Sequence, residues 1–401
     1  MEDKKPVLYF CSTTHALIHA VILSFAVLIG AIQNTFNISL TQTMAWGAIS
    51  VFIYGTAGIP AGYFSDKFGS LKMIITGMSI ALLSCIILFF SFSPWMFITG
   101  MVGLGFGSGF YHPSGISILS KYYGEKERGR AMGTHGFLGN FGQFGAPLIA
   151  SGLLVALGGW RQVYIFWGGV FAFMIIWGLI MEFEGYEPEV TGKETRLGKL
   201  DTKFLLQSMI FILLVITVLR GWYYRGTVKF IPTYVKDAYG AGDFTAGIYG
   251  SLLLLGGSVS QIIGGHMRDK MGSKKPIIIF AVLSTISLML LLTHDLMPEM
   301  KIIGGLYLGP FLIGVILFGF AFFGAQPAVN SIVAEYTPEN IRGGFYGITF
   351  FTRFGLSSLA MIMAGFTAEN IGMTVPFMIM GVFALISIPL AMMLKEVDGE
   401  E

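Results

Sequence analysis

The chain is divided almost from end to end into long apolar segments, and these restrict its possible folds more than any other feature. A bilayer core needs about 20 consecutive apolar residues for each helix that crosses it. Only 12% of the residues are charged, whereas soluble domains carry about twice that share. The sequence therefore predicts an all-α membrane protein with twelve transmembrane helices. The predicted stretches are 8–31, 42–65, 72–92, 95–120, 129–156, 160–182, 204–232, 244–266, 275–293, 303–335, 341–368 and 372–394.

A polar connector between two of these stretches occurs twice. It runs from Gly62 to Lys72 and again from Gly265 to Lys275, with six of eleven positions identical. An internal duplication accounts for this repetition. We therefore predict two pseudo-symmetric six-helix bundles, residues 1–182 and 204–401, joined by a linker over 183–203. Further pairs at a shift of 214 residues are Pro113 and Pro327, Ser117 and Ser331, Tyr122 and Tyr336, Glu125 and Glu339, Arg128 and Arg342, and Gly133 and Gly347.

The distribution of Lys and Arg predicts the orientation in the membrane. Eighteen of these residues lie in the termini and connectors on one side of the predicted bundle, three on the other side and four within the stretches. Cytoplasmic loops of membrane proteins carry an excess of Lys and Arg. Both termini, the linker and both copies of the connector are therefore predicted to be cytoplasmic, in a multi-pass protein of the cytoplasmic (inner) membrane. The net charge of +2 gives no indication of a nucleic-acid partner.

The repeated Gly-x-x-x-Asp-Lys-x-Gly-Ser-x-Lys connector resembles the signature that the major facilitator superfamily carries between its second and third helices. The second copy, between stretches eight and nine, stands where that superfamily has an echo of the signature. This resemblance covers nearly the whole chain. It implies the major facilitator fold, function as a monomer, and secondary transport by alternating access around a site near the membrane midplane.

The same resemblance implies a cytoplasmic gate built from the two connectors. Asp66 and Asp269 would hold the cytoplasmic ends of the two halves together, each by pairing with a basic residue or a helix N-terminus. Arg128 and Arg342 stand at matching repeat positions and are the expected partners. The glycines of the motif would permit its tight turn. The gate residues are Gly62, Asp66, Lys67, Gly69, Arg128, Gly265, Asp269, Lys270, Gly272 and Arg342.

A narrower resemblance is to the fosmidomycin-resistance type of drug exporter. In stretch one, this chain has His15-x-x-x-His19 where that group often has His-x-x-x-Asp. The resemblance implies export of a drug or small organic anion. The motifs that carry it are Gly-Ser-Gly-Phe-Tyr-His112-Pro113, Arg128-Gly129, Gly139-Asn140-Phe-Gly142, Gly145-Ala-Pro147, Arg220-Gly-Trp222 and Phe230-Ile-Pro232.

Signatures of ATP-driven pumping and of catalysis are absent from the sequence. It contains no Gly-x-x-x-x-Gly-Lys-Ser/Thr loop, no Gly-x-Ser-x-Gly and no His-Glu-x-x-His, and no connector is long enough for a nucleotide-binding domain. We therefore expect neither an enzyme nor a cofactor. An ion gradient or the gradient of the solute itself must then supply the energy for transport.

Ionisable residues inside transmembrane helices are costly and mark functional sites, and here the deep ones are basic. His15 and His19 share one face of a helix, as do Arg220 with Tyr224 and Gln326 with Asn330, because residues four apart are neighbours. A buried guanidinium without a carboxylate partner needs water or an anionic ligand. The sequence therefore predicts a small anionic substrate. The expected substrate-binding residues are His15, His19, His112, His135, Arg220, Tyr224, Gln326, Asn330 and Arg353.

Histidine is the natural proton carrier when no deep carboxylate is present, so His15, His19 and His112 are the expected proton-coupling residues. Transport without protons stays an alternative. Backbone carbonyls are an alternative partner for Arg220, and a carbonyl freed by the proline kink is one for His112. No metal is expected at the His15 and His19 pair, because it has no carboxylate or thiolate neighbour.

Several basic residues have alternative positions. For Arg225 and Arg220, the alternative is a position at the periplasmic interface. Arg353 has a helix–helix contact as its alternative. Lys229 is expected to extend its ammonium group to the membrane surface.

Taken together, these features predict a secondary active transporter that exports a small organic anion or drug in exchange for protons. Its expected partners are that solute, protons and the lipid bilayer. Proton-coupled uptake of an organic anion is the first alternative. A membrane receptor that does not transport is the second, and measured solute flux separates it from both transporters.

Overall fold

The computed structural model of the chain describes residues 4–187, 202–293, 300–301, 306–338 and 342–396. The chain divides into two compact units, Met1–Thr195 and Arg196–Glu401, called here the N-terminal and C-terminal units. Each unit carries six of the twelve predicted stretches. Most of the expected linker over 183–203 lies outside the described residues, so the domain boundaries at 182 and 204 stay a prediction.

The described part of the N-terminal unit is helical. Its helices are α1 (Lys5–Phe36), α2 (Leu40–Phe68), α3 (Ser70–Phe89), α4 (Pro94–Gly109), α5 (Tyr111–Tyr122), α6 (Glu125–Leu157) and α7 (Trp160–Phe183). Several starts follow local signals. At α2, Ser39 and Gln42 form a reciprocal capping box, which satisfies two N–H groups that the helix itself leaves unpaired.

The C-terminal unit repeats this arrangement and adds a short hairpin. Its helices are α8 (Thr202–Leu205), α9 (Ser208–Tyr239), α10 (Asp243–Met271), α11 (Lys274–Leu290), α12 (Pro310–Gly324), α13 (Gln326–Glu335), α14 (Arg342–Phe354), α15 (Leu359–Asn370) and α16 (Val375–Met393). A 3₁₀ turn over Leu356–Ser358 joins α14 to α15. Strands β1 (Met300–Lys301) and β2 (Tyr307–Leu308) pair antiparallel, with Met300 opposite Leu308.

The predicted class, an all-α membrane protein with twelve helical stretches, is confirmed, since helix occupies every predicted stretch. Ten helices of the described chain are long and apolar enough to cross a membrane. The fourth stretch, which is divided into α4 and α5, is not among these ten, and neither is the ninth, because α11 has 17 residues. The tenth stretch begins later than predicted, at Pro310 rather than at residue 303, because proline is favoured at the first position of a helix.

The fourth and tenth stretches break at repeat-related places. In the N-terminal unit the break is at Phe110, shortly before Pro113, and in the C-terminal unit it is at Ala325, shortly before Pro327. Proline has no N–H, and its ring collides with the carbonyl four residues earlier, so a helix bends or breaks there. Both breaks place polar side chains next to helix ends, where the candidate site residues lie.

Candidate functional site

Four histidines come together in the N-terminal unit. His15 and His19 lie one turn apart on α1, His112 lies at the start of α5 just after the break, and His135 lies on α6. The Nε2 atoms of His15 and His19 are 3.0 Å apart. On its other side, His15 Nδ1 is 3.3 Å from the carbonyl oxygen of His135. All four predicted histidines therefore belong to one cluster.

The imidazole rings of this histidine cluster are in direct contact. His15 stacks on His135 with 4.4 Å between ring centroids. The ring of His112 is 5.0 Å from that of His15 and 5.2 Å from that of His19. His135 is only 6% exposed. Neither α1 nor α5 contains Asp or Glu, so the protonation of the imidazoles sets the charge here.

Two tyrosines complete the cluster, and neither was predicted. Tyr111 is 2% exposed; its hydroxyl donates to the carbonyl of Cys11 and lies 3.5 Å from His135 Nδ1. The ring of Tyr54 is 5.9 Å from that of His112. The position of Tyr111 directly before His112, at the break, is a sequence signal that would have identified it. Tyr54 has no comparable signal.

Close approach of two helices makes room for the cluster. A β carbon at Gly139 of α6 would overlap the ring of His15, and one at Gly142 would overlap Ala16. Only glycine lets α6 lie this near to α1, since small residues allow helix backbones to approach. The two glycines of the Gly139-Asn140-Phe-Gly142 motif are thus used for helix packing.

Four basic residues lie inside the C-terminal unit. Arg220, Arg225 and Lys229 lie on α9 and are 4%, 6% and 1% exposed, while Arg353 on α14 is half-buried. The prediction that Lys229 reaches the membrane surface is therefore wrong. Helix α9 continues to Tyr239 instead of ending near Pro232. Lys229 thus lies ten residues before the helix end, about 15 Å along the axis.

Arg220 is held by uncharged groups. Its Nη2 donates to the carbonyl of Phe322 at 2.8 Å, and its Nη1 donates to the Tyr223 hydroxyl at 3.2 Å. The guanidinium also lies 4.9 Å from the centre of the Phe322 ring. Tyr224, which was predicted to share the face of Arg220, stacks on the same Phe322 ring with 4.0 Å between ring centroids. Tyr223 was not predicted as a partner.

Arg353 contacts Gln326 and Asn330 of α13. Its Nη2 donates to Asn330 Oδ1 at 3.2 Å. The Gln326 amide oxygen, in the orientation that satisfies both amide atoms, accepts from Nη1 and Nη2 at 2.9 Å each. Within the described part of the chain, the hydrogen-bond partners of Arg220 and Arg353 are thus all neutral. Arg225 packs 4.5 Å above the ring of Phe354, the neighbour of Arg353.

The two connectors turn at glycine, as expected, but at one glycine of each copy only. Gly69 and Gly272 have φ of 104° and 79°, a region that favours glycine. Gly62 and Gly265 instead lie inside the helices α2 and α10. The expectation that these two permit the turn is therefore wrong.

A carboxylate that the sequence analysis missed caps the helix after each connector. Glu187 accepts hydrogen bonds from the backbone N–H groups of Ser70 at 2.8 Å and Lys72 at 3.0 Å. Glu396 accepts from those of Ser273 at 3.2 Å and Lys274 at 2.9 Å. Each acid follows the last helix of its unit by three or four residues. That matching placement is the signal that would have found the pair.

Burial and hydrogen bonding act in opposite directions on Glu187. Partial burial raises the pKa of this carboxyl group above its ordinary value, and the N–H groups at the start of α3 oppose the rise.

A tyrosine that occurs at matching repeat positions holds the same chain segments in place. The hydroxyl of Tyr122 donates to the carbonyl of Tyr186 at 2.9 Å, and that of Tyr336 donates to the carbonyl of Lys395 at 2.6 Å.

Only some residues of the expected gate pairs lie among the residues that the structure describes. The side chains of Arg128 and Arg342 lie outside the described residues, so their pairing with Asp66 and Asp269 stays a prediction. Arg268 contacts Asp269 at 3.2 Å and Glu335 at 3.3 Å. Lys67 is exposed and lies 5.3 Å from the Phe68 ring centre, and Lys270 is exposed as well.

Comparison with known families gives a match over most of the chain. The family model described as Major Facilitator Superfamily matches residues 8–361. Among curated proteins, the quinolone resistance protein NorB of Staphylococcus aureus strains JH9 and Newman is 28% identical over 184 residues. That match spans 45% of this chain and 38% of the length of NorB.

Two solved transporters share the fold of the whole chain. One is a bacterial homologue of the human lysosomal transporter Spinster, in an inward-facing and unoccupied conformation. Its TM-score is 0.76 at 17% identity, over 97% of this chain and 96% of that one. The other is a POT family transporter in complex with 5-aminolevulinic acid, with a TM-score of 0.77 at 14% identity, over 96% and 94%.

Proposed function

Because this chain belongs to the Major Facilitator Superfamily and is therefore a multi-pass membrane transporter rather than an enzyme, we propose that it exports a small organic anion or drug. Export proceeds by alternating access, in exchange for protons. The protein acts as a monomer in the cytoplasmic membrane, with both termini in the cytoplasm. The excess of Lys and Arg in the predicted cytoplasmic connectors supports this orientation.

The observation that carries the anionic substrate is the set of basic side chains inside the C-terminal unit. Arg220 is 4% exposed, and its described partners are a carbonyl and a hydroxyl. Arg353 likewise bonds to neutral amides. Helices α12 and α14 contain no Asp or Glu, and the only acidic residue of α9 is Asp237, near the end of that helix. Buried charge without compensation is costly, and an anion would supply that compensation.

Arginine also suits the recognition of an organic anion. Its planar fork binds carboxylate, phosphate or phosphonate oxygens through two parallel hydrogen bonds. The stacked rings of Tyr224 and Phe322, with centroids 4.0 Å apart, lie beside Arg220 and form an apolar environment. An amphiphilic anion, with one charged group and an aromatic or aliphatic body, fits both features. Tyr224, Gln326, Asn330 and Arg353 keep their proposed roles in binding.

Proton coupling is assigned to the histidines of the N-terminal unit. The hydrogen-bonded pair of His15 and His19, with His112 in ring contact with both, supports proton transfer within the cluster. Imidazole takes up and releases protons near physiological pH. The quinolone resistance named for NorB supports export as the direction. The match to that relative covers 45% of this chain.

Thermal unfolding with and without ligands tests the anion proposal. The purified protein is screened against organic carboxylates, phosphonates and lipophilic cations, as wild type, Arg220→Gln and Arg353→Gln. A ligand at 100 times its Kd stabilises the folded state by about 2.7 kcal/mol. We expect anions to stabilise the wild type and to lose that effect in both variants. Arg130→Gln, which changes an exposed arginine on α6, serves as the matched control.

The contrary outcome is equally clear. Stabilisation by lipophilic cations that is equal in all four proteins would refute the anion proposal and favour a broad drug exporter. Flux of a stabilising anion in proteoliposomes with an imposed pH gradient then tests direction. Emptying of the compartment that corresponds to the cytoplasm supports export, filling supports uptake, and the absence of flux supports the receptor alternative.

A further inference from the structure

We propose that His15, His19 and His112 form a binding site for a divalent transition-metal ion in the N-terminal unit. The proposal does not depend on the arginines of the C-terminal unit, but it uses the histidines assigned above to proton coupling, so a bound ion would compete with protons for the same ring nitrogens. Sequence alone argued against a metal, because His15 and His19 offered only two ligands with no carboxylate or thiolate nearby. The break between α4 and α5 brings in His112 as a third imidazole, and three histidines form a well-known ligand set for zinc.

The spacing of the ring nitrogens fits a single ion. One ligand nitrogen from each histidine lies within 4.8 Å of the other two, and the Nε2 atoms of His15 and His19 are 3.0 Å apart. Bonds from the metal to imidazole nitrogen are about 2.0–2.1 Å long, so two ligands at 90–110° are separated by roughly 2.8–3.4 Å. The closest pair already has this separation. Small side-chain rotations bring the third nitrogen into range.

The backbone carbonyl of His135 prepares His15 for this role. Because a carbonyl oxygen only accepts hydrogen bonds, His15 Nδ1, 3.3 Å from it, must carry the proton. The lone pair of a neutral His15 is therefore on Nε2, where it accepts the Nε2–H of His19. An ion bound to both Nε2 atoms displaces this hydrogen, so His19 must carry its proton on Nδ1 when the site is loaded. Histidine ligands in metal sites usually have such a partner on the other ring nitrogen, which fixes the tautomer and the ring orientation.

The donor set also selects the kind of ion. Imidazole nitrogen suits Zn²⁺, Co²⁺, Ni²⁺ and Cu²⁺, whereas Mg²⁺ and Ca²⁺ prefer oxygen ligands. Helices α1 and α5, which carry all three ligands, contain no carboxylate. Three protein ligands leave a fourth position of a tetrahedral ion open to water or to an anion. The site is thus expected to bind Co²⁺ and Zn²⁺ and to ignore Mg²⁺.

Titration with Co²⁺ tests the proposal directly, because Co²⁺ bound to imidazole has visible absorption bands. The protein is purified without a polyhistidine tag and titrated as wild type, His19→Gln and His112→Gln. We expect one Co²⁺ per chain in the wild type, displaced by Zn²⁺ and unaffected by Mg²⁺. Loss of either ligand should weaken Co²⁺ binding by roughly tenfold to a hundredfold or more. Losses of that size are already typical when a residue that only hydrogen-bonds to a metal ligand is mutated.

Two control variants separate coordination from general disturbance. His135→Gln removes an imidazole from the same cluster but keeps the carbonyl that orients His15, and His266→Gln removes a histidine of the C-terminal unit. Both should bind Co²⁺ within a few-fold of the wild type. Circular dichroism and unfolding without metal identify any variant that fails to fold, in which case the other ligand variant decides.

The proposal is overturned if the wild type binds no stoichiometric Co²⁺, if His112→Gln and His19→Gln both bind like the wild type, or if His135→Gln loses binding as completely as they do. Its failure is distinguishable from failure of the anion proposal. Cobalt spectra report on the histidines alone, while stabilisation by anions is measured on the arginine variants.

Discussion

The carboxylate caps of Glu187 and Glu396 provide the sharpest test of how the two connectors are held. Each accepts two backbone hydrogen bonds at the start of the helix after its connector, with distances from 2.8 to 3.2 Å. Glu187→Ala and Glu396→Ala remove these acceptors and leave N–H groups to water. The glutamates lie outside their helices in sequence, so the substitutions leave helix propensity in α3 and α11 unchanged.

The size of the effect follows from the geometry. Loss of a helix cap costs about 1 kcal/mol, within a range of 0.5–2, and a negative charge near a helix N-terminus contributes about 0.3–1 kcal/mol more when it is exposed. Partial burial disfavours the charged form of Glu187 and raises its pKa, which reduces the stabilisation that the negative charge provides. We therefore expect a loss of about 1–1.5 kcal/mol for Glu187→Ala, and about 0.5–1 kcal/mol for the more exposed Glu396.

Thermal unfolding in detergent, followed by circular dichroism at a fixed scan rate, measures both variants. For a domain of 150–250 residues, 1 kcal/mol shifts the Tm by about 2–4 °C. Glu184→Ala is the matched control, since this acid is exposed and lies three residues before Glu187. It should change the Tm by less than about 1 °C, as surface substitutions commonly do. Unchanged unfolding of both cap variants would refute the assignment of these carboxylates as caps.

Two further predictions concern the same region. The pKa of Glu187 is raised in the folded protein, so the folded state binds the proton more tightly than the unfolded state. The wild type should therefore gain stability relative to Glu187→Gln as the pH falls from 7 towards 5. A Tm difference that moves the other way contradicts this prediction. Gly69→Ala should destabilise the folded protein by about 1–2 kcal/mol, because the φ of Gly69 is 104° and left-handed backbone is costly for other residues. Gly62 lies in a helix, so Gly62→Ala should be neutral or mildly stabilising. Equal Tm values for the two variants would contradict the difference in backbone conformation.

Much of the fold was predictable because its signals are local in sequence. A long apolar stretch identifies a transmembrane helix without knowledge of any neighbour, and a proline predicts a break close to its own position. The breaks before Pro113 and Pro327 follow this rule. Lys229 was misjudged because the helix around it runs further than its most apolar part, and a charged side chain far from a helix end cannot reach the surface.

The contacts of the candidate sites were less predictable because they join distant parts of the chain. Glu187 bonds to residues 115 and 117 positions away, and no periodicity in the sequence indicates such a pair. The shared face of His15 and His19 was expected, but the approach of His112 and His135, and which ring nitrogens face each other, were not. That geometry depends on the close approach that Gly139 allows and on the hydrogen bond from His15 to a backbone carbonyl.

The duplication explains how one backbone frame came to carry two different kinds of site. At the shift of 214 residues that pairs Pro113 with Pro327, His112 pairs with Gln326. Each is the residue just before its proline. In the N-terminal unit this position adds an imidazole to a cluster whose charge depends on protons. In the C-terminal unit it places an amide against the permanent charge of Arg353. The kink is therefore the shared element, and the side chain before the proline contributes a titratable imidazole in one unit and a neutral amide in the other.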